Sequence, residues 1–353
     1  MRGSQPAAGR LDVLQAGRAA AAILVVLYHA NNFVLPLRLY DGDTAWRGFG
    51  WGYAGVEFFF VLSGFIIARA HHRDVGQPTR ILRFLYKRCI RILPMYWLVL
   101  TTLLVAYQLV PTLGAGALPD TEPAAQAYLL VPSAERSILP VAWTLKHEMV
   151  FYSAFVCFLI DVRWGAGIFF FWMGACMIAL FLPELDFPAA FFLSPYNLLF
   201  AAGLVMYFFQ PVVREPVARA LVFLGIAMFI IVGLSEQFLF AWPLGVRTLA
   251  YGVAACAVIA GSVQISCRVP TSAVLLGNAS YAIYLLHLPV MNVLAILLAK
   301  SGAGSLTPPL LMCLGLSAIA VAAGAAAHVI VEKPMQQWLV RKSLLPRLSR
   351  RSI

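Results

Sequence analysis

Charge is scarce in this chain. Only 12% of its 353 residues are charged, and 15 acids stand against 26 lysines and arginines. A soluble globular domain carries about twice that charged fraction, so a water-facing surface of ordinary polarity is excluded for most of the molecule. Cysteine is no richer. The six (Cys89, Cys157, Cys176, Cys256, Cys267, Cys313) are scattered, mostly in apolar runs, and none forms a C-x-x-C pair. That spacing speaks against a disulfide framework and against a metal site, and for buried thiols. The chain also has no glycine-rich phosphate loop, no internal sequence repeat and no stretch that reads as a second, soluble domain.

What the chain does have is apolar sequence: 61% of it is hydrophobic, with a mean hydropathy of +0.83. Such a composition belongs to a polytopic membrane protein. The net charge of +11 is then read as basic loops on the cytoplasmic side of a bilayer, not as a nucleic-acid surface. The first apolar run is too long for a signal-peptide core and contains Arg18, so no cleaved leader is expected.

A hydrocarbon core takes about 20 helical residues. On that ruler the chain is all-α, with about ten transmembrane helices near 12–34, 51–69, 93–111, 143–160, 165–182, 195–210, 219–234, 243–265, 275–299 and 308–331. Lysine and arginine favour cytoplasmic loops. With both termini inside, 19 of the 26 basic residues fall on the cytoplasmic side, whereas only Arg38, Arg47, Arg136 and Lys300 fall outside. Asp41, Asp43, Asp120, Glu122, Glu135, Glu184, Asp186 and Glu236 fall outside. The layout is therefore N-in and C-in.

Two segments stand apart from the spans. Residues 79–92 (TRILRFLYKRCIR and the next residue) place Ile81, Leu82, Leu85 and Cys89 on one helical face and Arg83, Lys87, Arg88 and Arg91 largely elsewhere. This predicts an interfacial basic helix on the inner leaflet, attracted to anionic lipid or gripping a phosphorylated ligand through Arg88 and Arg91. The outer loop, 112–142, is rich in proline and long enough to act as a lid. A membrane domain over 1–335 is followed by a basic cytoplasmic tail, 336–353.

Ionisable groups inside a bilayer are costly and mark functional interiors. Arg18 and His29 in the first span are 11 residues apart. They share a helical face, about three turns and roughly 16 Å from each other, and the remaining spans are expected to build a pore around that face. By topology Glu57, His147, Glu148 and Arg247 lie at the outer depth of His29. Arg18, Ser280, Tyr281 and His328 lie nearer the cytoplasm, and His287 near mid-membrane. Each has a structural reading too: Glu148 can pair with Lys146 or Arg136, and Asn278 and Ser280 can cap a helix. His71 and His72, in the basic loop, read as solvated. A histidine and two carboxylates at one depth fit a base with an orienting acid, as acyl transfer requires.

Six motifs in order resemble the acyltransferase-3 family of membrane O-acyltransferases. They are Arg18 and His29 in LQAGRAAAAILVVLYH; Glu57 and Ser63-Gly64 in GVEFFFVLSGFIIA; Arg88 and Arg91 in KRCIRILPMYW; Trp143, Glu148 and Tyr152 in AWTLKHEMVFY; Gly277, Ser280, Tyr281, Tyr284 and His287 in LLGNASYAIYLLHLPV; and Glu332 and Pro334 in VEKP. The match covers nearly the whole chain and looks closest to the exopolysaccharide-acetylating branch. Larger relatives add an extracytoplasmic esterase-like domain. None follows the spans here, so acceptor choice is expected to rest with the bundle and its outer loops. His147 carries no family role.

The resemblance implies a bacterial inner-membrane, multi-pass enzyme with no bound cofactor. Its donor would be a cytosolic acyl-CoA, most simply acetyl-CoA, held by Arg88, Arg91 and Arg18. Its acceptor would be a sugar hydroxyl of a polysaccharide or lipid-linked saccharide. His29 would be the general base, oriented by Glu57 or Glu148, or would carry the acyl group itself. Ser63, Tyr152, Ser280, Tyr281 and His287 would line the pore or meet the acceptor. The alternative is a transporter or flippase for lipid-linked sugars.

Overall fold

The computed structural model describes residues 8–110, 121–302 and 306–342. All regular structure among them is helical. The principal helices are α1 (Ala8–His29), α2 (Gly55–His71), α3 (Ile81–Leu109), α4 (Trp143–Ile160), α5 (Val162–Ala179), α6 (Pro195–Phe209), α7 (Glu215–Phe238), α8 (Leu244–Ser262), α9 (Ser280–Lys300), α10 (Pro309–Ala327) and α11 (Lys333–Lys342). Nine helical stretches among the described residues are long and apolar enough to cross a membrane. The expected span 143–160 is also a helix, but Lys146, His147 and Glu148 in its opening turns leave it less apolar than the rest. The chain thus forms a multi-pass helical membrane protein, and its lipid-facing sides explain side chains such as Phe171 (81% exposed) and Phe181 (85%).

The chain falls into two compact units: Met1–Leu62 with Phe208–His328, and Ser63–Tyr207 with Val329–Ile353. Helix α2 begins in the first and ends in the second.

In the first unit α1 packs on α9, α10 and the short helix Thr271–Asn278 that precedes α9, and α7 pairs with α8 as a hairpin. A fully buried Tyr251 on α8 anchors the hairpin against Ala54 and Val232. Helix α1 does not stop at His29. It widens into a π turn, Ala30–Val34, before a last α turn, Leu35–Arg38. Such turns are rare and concentrate at functional sites.

In the second unit α3 differs from the sequence expectation. The basic stretch 79–92 and the span after it are one continuous helix, Ile81–Leu109, with Pro94 in its interior. Pro94 suits a helix's first turn equally well, so the sequence alone reads it as a start. The part of the outer loop that is described is ordered. Tyr96 donates to the Ala127 carbonyl (2.8 Å) and Trp97 to the Tyr128 carbonyl (2.8 Å), and Glu122 is buried in an ion pair with Lys146. Lys146 is therefore the partner of Glu122, not of Glu148. Residues 112–120 of the loop and 343–353 of the tail lie outside the described residues.

Candidate active site

The polar residues of the first unit gather at two levels of α1. At the lower level Arg18 Nη1 donates to Gln15 Oε1 (3.0 Å). Gly277 lies against the backbone here: a Cβ on it would stand 2.1 Å from the Gln15 carbonyl oxygen. That close approach brings the start of α9 beside this end of α1. Ser280 is buried there, and its hydroxyl has no hydrogen-bond partner among the described residues. Tyr281 follows it, half-buried.

At the upper level His29 meets His287. His29 Nδ1 is 2.8 Å from the Val25 carbonyl oxygen and 3.2 Å from His287 Nε2. His287 Nδ1 in turn lies 3.2 Å from the Ile283 carbonyl. A carbonyl can only accept, so each Nδ1 carries a proton. His287 Nε2 is then the acceptor facing His29 Nδ1–H, and His29 Nε2 is left as an unprotonated lone pair. Two neutral imidazoles in this arrangement leave one of them a base. The ring is held between Tyr28 (centroids 5.1 Å apart) and Phe33 (5.5 Å).

Glu57 opens α2 in the same unit. It is fully buried, and neither carboxylate oxygen has a hydrogen-bond partner among the described residues. His29 is thus backed by His287 and not hydrogen-bonded to Glu57. Arg247 and Glu236 lie within electrostatic reach of Glu57.

The second unit holds a different cluster. Ser63 donates to Glu148 Oε1 (2.9 Å), and the Tyr152 hydroxyl donates to the same oxygen. Gly64 lets this end of α2 approach α6, because a Cβ there would lie 2.0 Å from the Phe200 carbonyl. Arg88 is buried, with its guanidinium over the rings of Phe84 (5.8 Å) and Tyr152 (5.9 Å). Its Nη2 donates to His71 Nε2 (2.9 Å), and His71 Nδ1–H donates to Asp74 Oδ2 (2.8 Å). His71 is therefore buried and structural, not solvated as its basic loop suggests, because Arg88 needs an acceptor in an aromatic setting. Arg91, one turn on, is exposed. His147 stacks on Phe191 (4.0 Å) and bonds Asn197 Oδ1 (2.9 Å).

The motif residues are thus brought into two constellations: Arg18, His29 and His287, with Ser280 on the α9 side, in the first unit, and Ser63, Arg88, Glu148 and Tyr152 in the second. Sequence reasoning missed His71 and Asp74, although their i, i+3 spacing was legible, and it gave Tyr28, Tyr53 and Glu236 no role.

The family model for the acyltransferase domain matches residues 11–327. The chain belongs to this acyltransferase family. Among its relatives, the acyltransferase is 31% identical over 305 residues to the exopolysaccharide production protein ExoZ of Rhizobium meliloti (strain 1021), an alignment covering 80% of this chain and 89% of the relative. It is 27% identical over 337 residues to acyltransferase MdmB of Streptomyces mycarofaciens, covering 82% of each. No solved structure gives a significant match. The chain is thus a membrane acyltransferase, and family membership sets the transporter reading aside.

Proposed function

We propose that this acyltransferase moves an acyl group, most simply acetyl, from cytosolic acyl-CoA to a hydroxyl of a surface polysaccharide or a lipid-linked saccharide, in a bacterial inner membrane with both termini cytoplasmic. The observation that carries this reading is the His29–His287 pair, which leaves His29 Nε2 free to accept a proton. Nε2 removes the proton of the acceptor hydroxyl as that oxygen attacks the thioester carbon. The C–S bond then breaks, and the departing thiolate takes the proton from the imidazolium. In the two-step variant Nε2 itself attacks the thioester, the thiolate leaves, and the sugar hydroxyl displaces the acyl group from the ring.

Arg18, a cation three turns from His29, suits the phosphates or the pantetheine arm of the donor, as does exposed Arg91. Arg88, already held by His71, would act as a fixed charge and Glu148 as its counter-charge in the same cluster. The ExoZ relative's name supports a polysaccharide acceptor. The test is mass spectrometry of the surface polysaccharide from cells with the gene, without it, and with His29→Ala. One acyl mass should vanish in both altered strains. Unchanged decoration would sink the reading.

A further inference from the structure

The first unit carries a second polar constellation beside His29 that none of the roles above uses. Tyr28, next to His29, meets Tyr53 edge to face (5.5 Å). The Tyr53 hydroxyl donates to Glu236 Oε2. Glu236 Oε1 is paired with Arg247 Nη1 (2.5 Å), and the Arg247 guanidinium sits 4.8 Å over the Tyr53 ring. These residues come from four separate elements: α1, the short turn Gly52–Ala54, the end of α7 and the start of α8. They meet one another and reach His29 through its neighbour Tyr28, which is not a by-product of one helix face.

A structural staple between α7 and α8 needs only Glu236 and Arg247. Three features exceed that need. The Arg247 side chain keeps 27% of its surface exposed, against 9% for Glu236, and Tyr28 and Tyr53 are only half-buried, so the group is open at Arg247 and the two tyrosines. The two tyrosines extend the aromatic wall of His29. Behind them Glu57, buried with both oxygens unpartnered, lies within electrostatic reach of Arg247 and Tyr28. A native interior leaves such an atom unpaired rarely and for a reason.

We propose that Tyr28, Tyr53, Glu236 and Arg247 form the subsite that binds the acceptor as a saccharide ring. A sugar presents an apolar C–H face and a rim of hydroxyls that both donate and accept. The tyrosines match the face. The Arg247 guanidinium and the Glu236 carboxylate match vicinal hydroxyls, as rigid donor and acceptor. The ring so placed would direct one hydroxyl at the adjacent His29. This inference rests on the acyl-transfer reading and names its acceptor site.

The test uses the full-length protein in nanodiscs with oligosaccharides cut from the cells' own surface polysaccharide after alkali has removed its esters. Two measurements run in parallel: saturation-transfer NMR of oligosaccharide binding, and CoA release against oligosaccharide and acetyl-CoA concentration. Arg247→Met and Glu236→Gln should abolish the NMR signal and raise KM for the oligosaccharide more than tenfold, with KM for acetyl-CoA shifted less than twofold. Tyr53→Phe, which removes one hydroxyl and keeps the ring, should raise the oligosaccharide KM three- to tenfold, and it decides the matter if the charge variants do not fold. Unchanged binding and oligosaccharide KM in Tyr53→Phe and the folded charge variants would overturn the subsite while leaving the enzyme reading intact. Wild-type binding that Arg247→Met removes, with no CoA release from the wild type, would overturn acyl transfer and leave the subsite standing.

Discussion

The candidate site residues of the two units differ in how far they are hydrogen-bonded, although the first unit also holds the bonded Tyr53–Glu236–Arg247 group. In the second, Glu148 accepts two hydrogen bonds on one oxygen, Arg88 donates to His71 through Nη2 and lies against two rings although its Nε has no partner among the described residues, and Lys146 meets Glu122. In the first, Glu57 accepts nothing and Ser280 donates to nothing among the described residues, while the His29–His287 pair uses three of its four ring nitrogens and leaves one open. A largely bonded network fixes geometry and is costly to break. An unsaturated one costs stability in the resting protein and offers bonding capacity to a substrate. The contrast assigns rigid electrostatics to one unit and proton chemistry to the other.

The sharpest way to break this division is at His29. A positioned base contributes about 10²- to 10⁴-fold to rate, so His29→Ala should lower CoA release by that factor, with thermal unfolding little changed. His287→Ala, which removes one of the two acceptors at Nδ1 and leaves the Val25 carbonyl, should cost less. If His287→Ala is the more damaging of the two, the base has been assigned to the wrong ring.

The next effect is on stability and belongs to the second unit. Lys146→Met leaves the Glu122 carboxylate buried without its cation, which costs about 3–5 kcal/mol. The unfolding midpoint in detergent should fall steeply. Adding Glu122→Gln to the same chain should recover part of the loss, since the orphaned charge goes with it. A smaller loss is expected for His71→Phe, which keeps the ring packing against Phe84 but leaves Arg88 without its acceptor. That should cost about 1–3 kcal/mol. Were His71 solvated, the change would be close to neutral.

Most of the helices were legible in the sequence, because an apolar run of about 20 residues has few other fates. The motif residues were legible as well, since Arg18, His29, Glu57 and Glu148 are costly where they stand. Their partners were not. His29 and His287 are separated by 258 residues, and no local pattern couples them. The burial of Arg88 depends on His71, 17 residues earlier, and on rings of two other turns, whereas its own neighbourhood reads as a basic surface. Pro94 misled for a different reason: one proline is compatible with a helix start and with a tolerated interior position, and only tertiary packing chooses. Glu236 was passed over as a loop acid because its value lies in Arg247, across a hairpin.

The smallest expected effect tests the contrast most directly. Glu57→Gln and Glu148→Gln are the same chemical change at two buried sites. At Glu148 the amide oxygen can still accept from Ser63 and Tyr152, but the charge-assisted part of those bonds is lost, about 1–2 kcal/mol. At Glu57 there is no bond to weaken, and removing a desolvated carboxylate relieves a burial cost. Its unfolding midpoint should therefore stay level or rise, even as CoA release falls. Equal destabilisation by the two changes would mean that Glu57 has a partner in the resting protein, and that the first unit's open bonding capacity at the candidate site lies with His29 and Ser280.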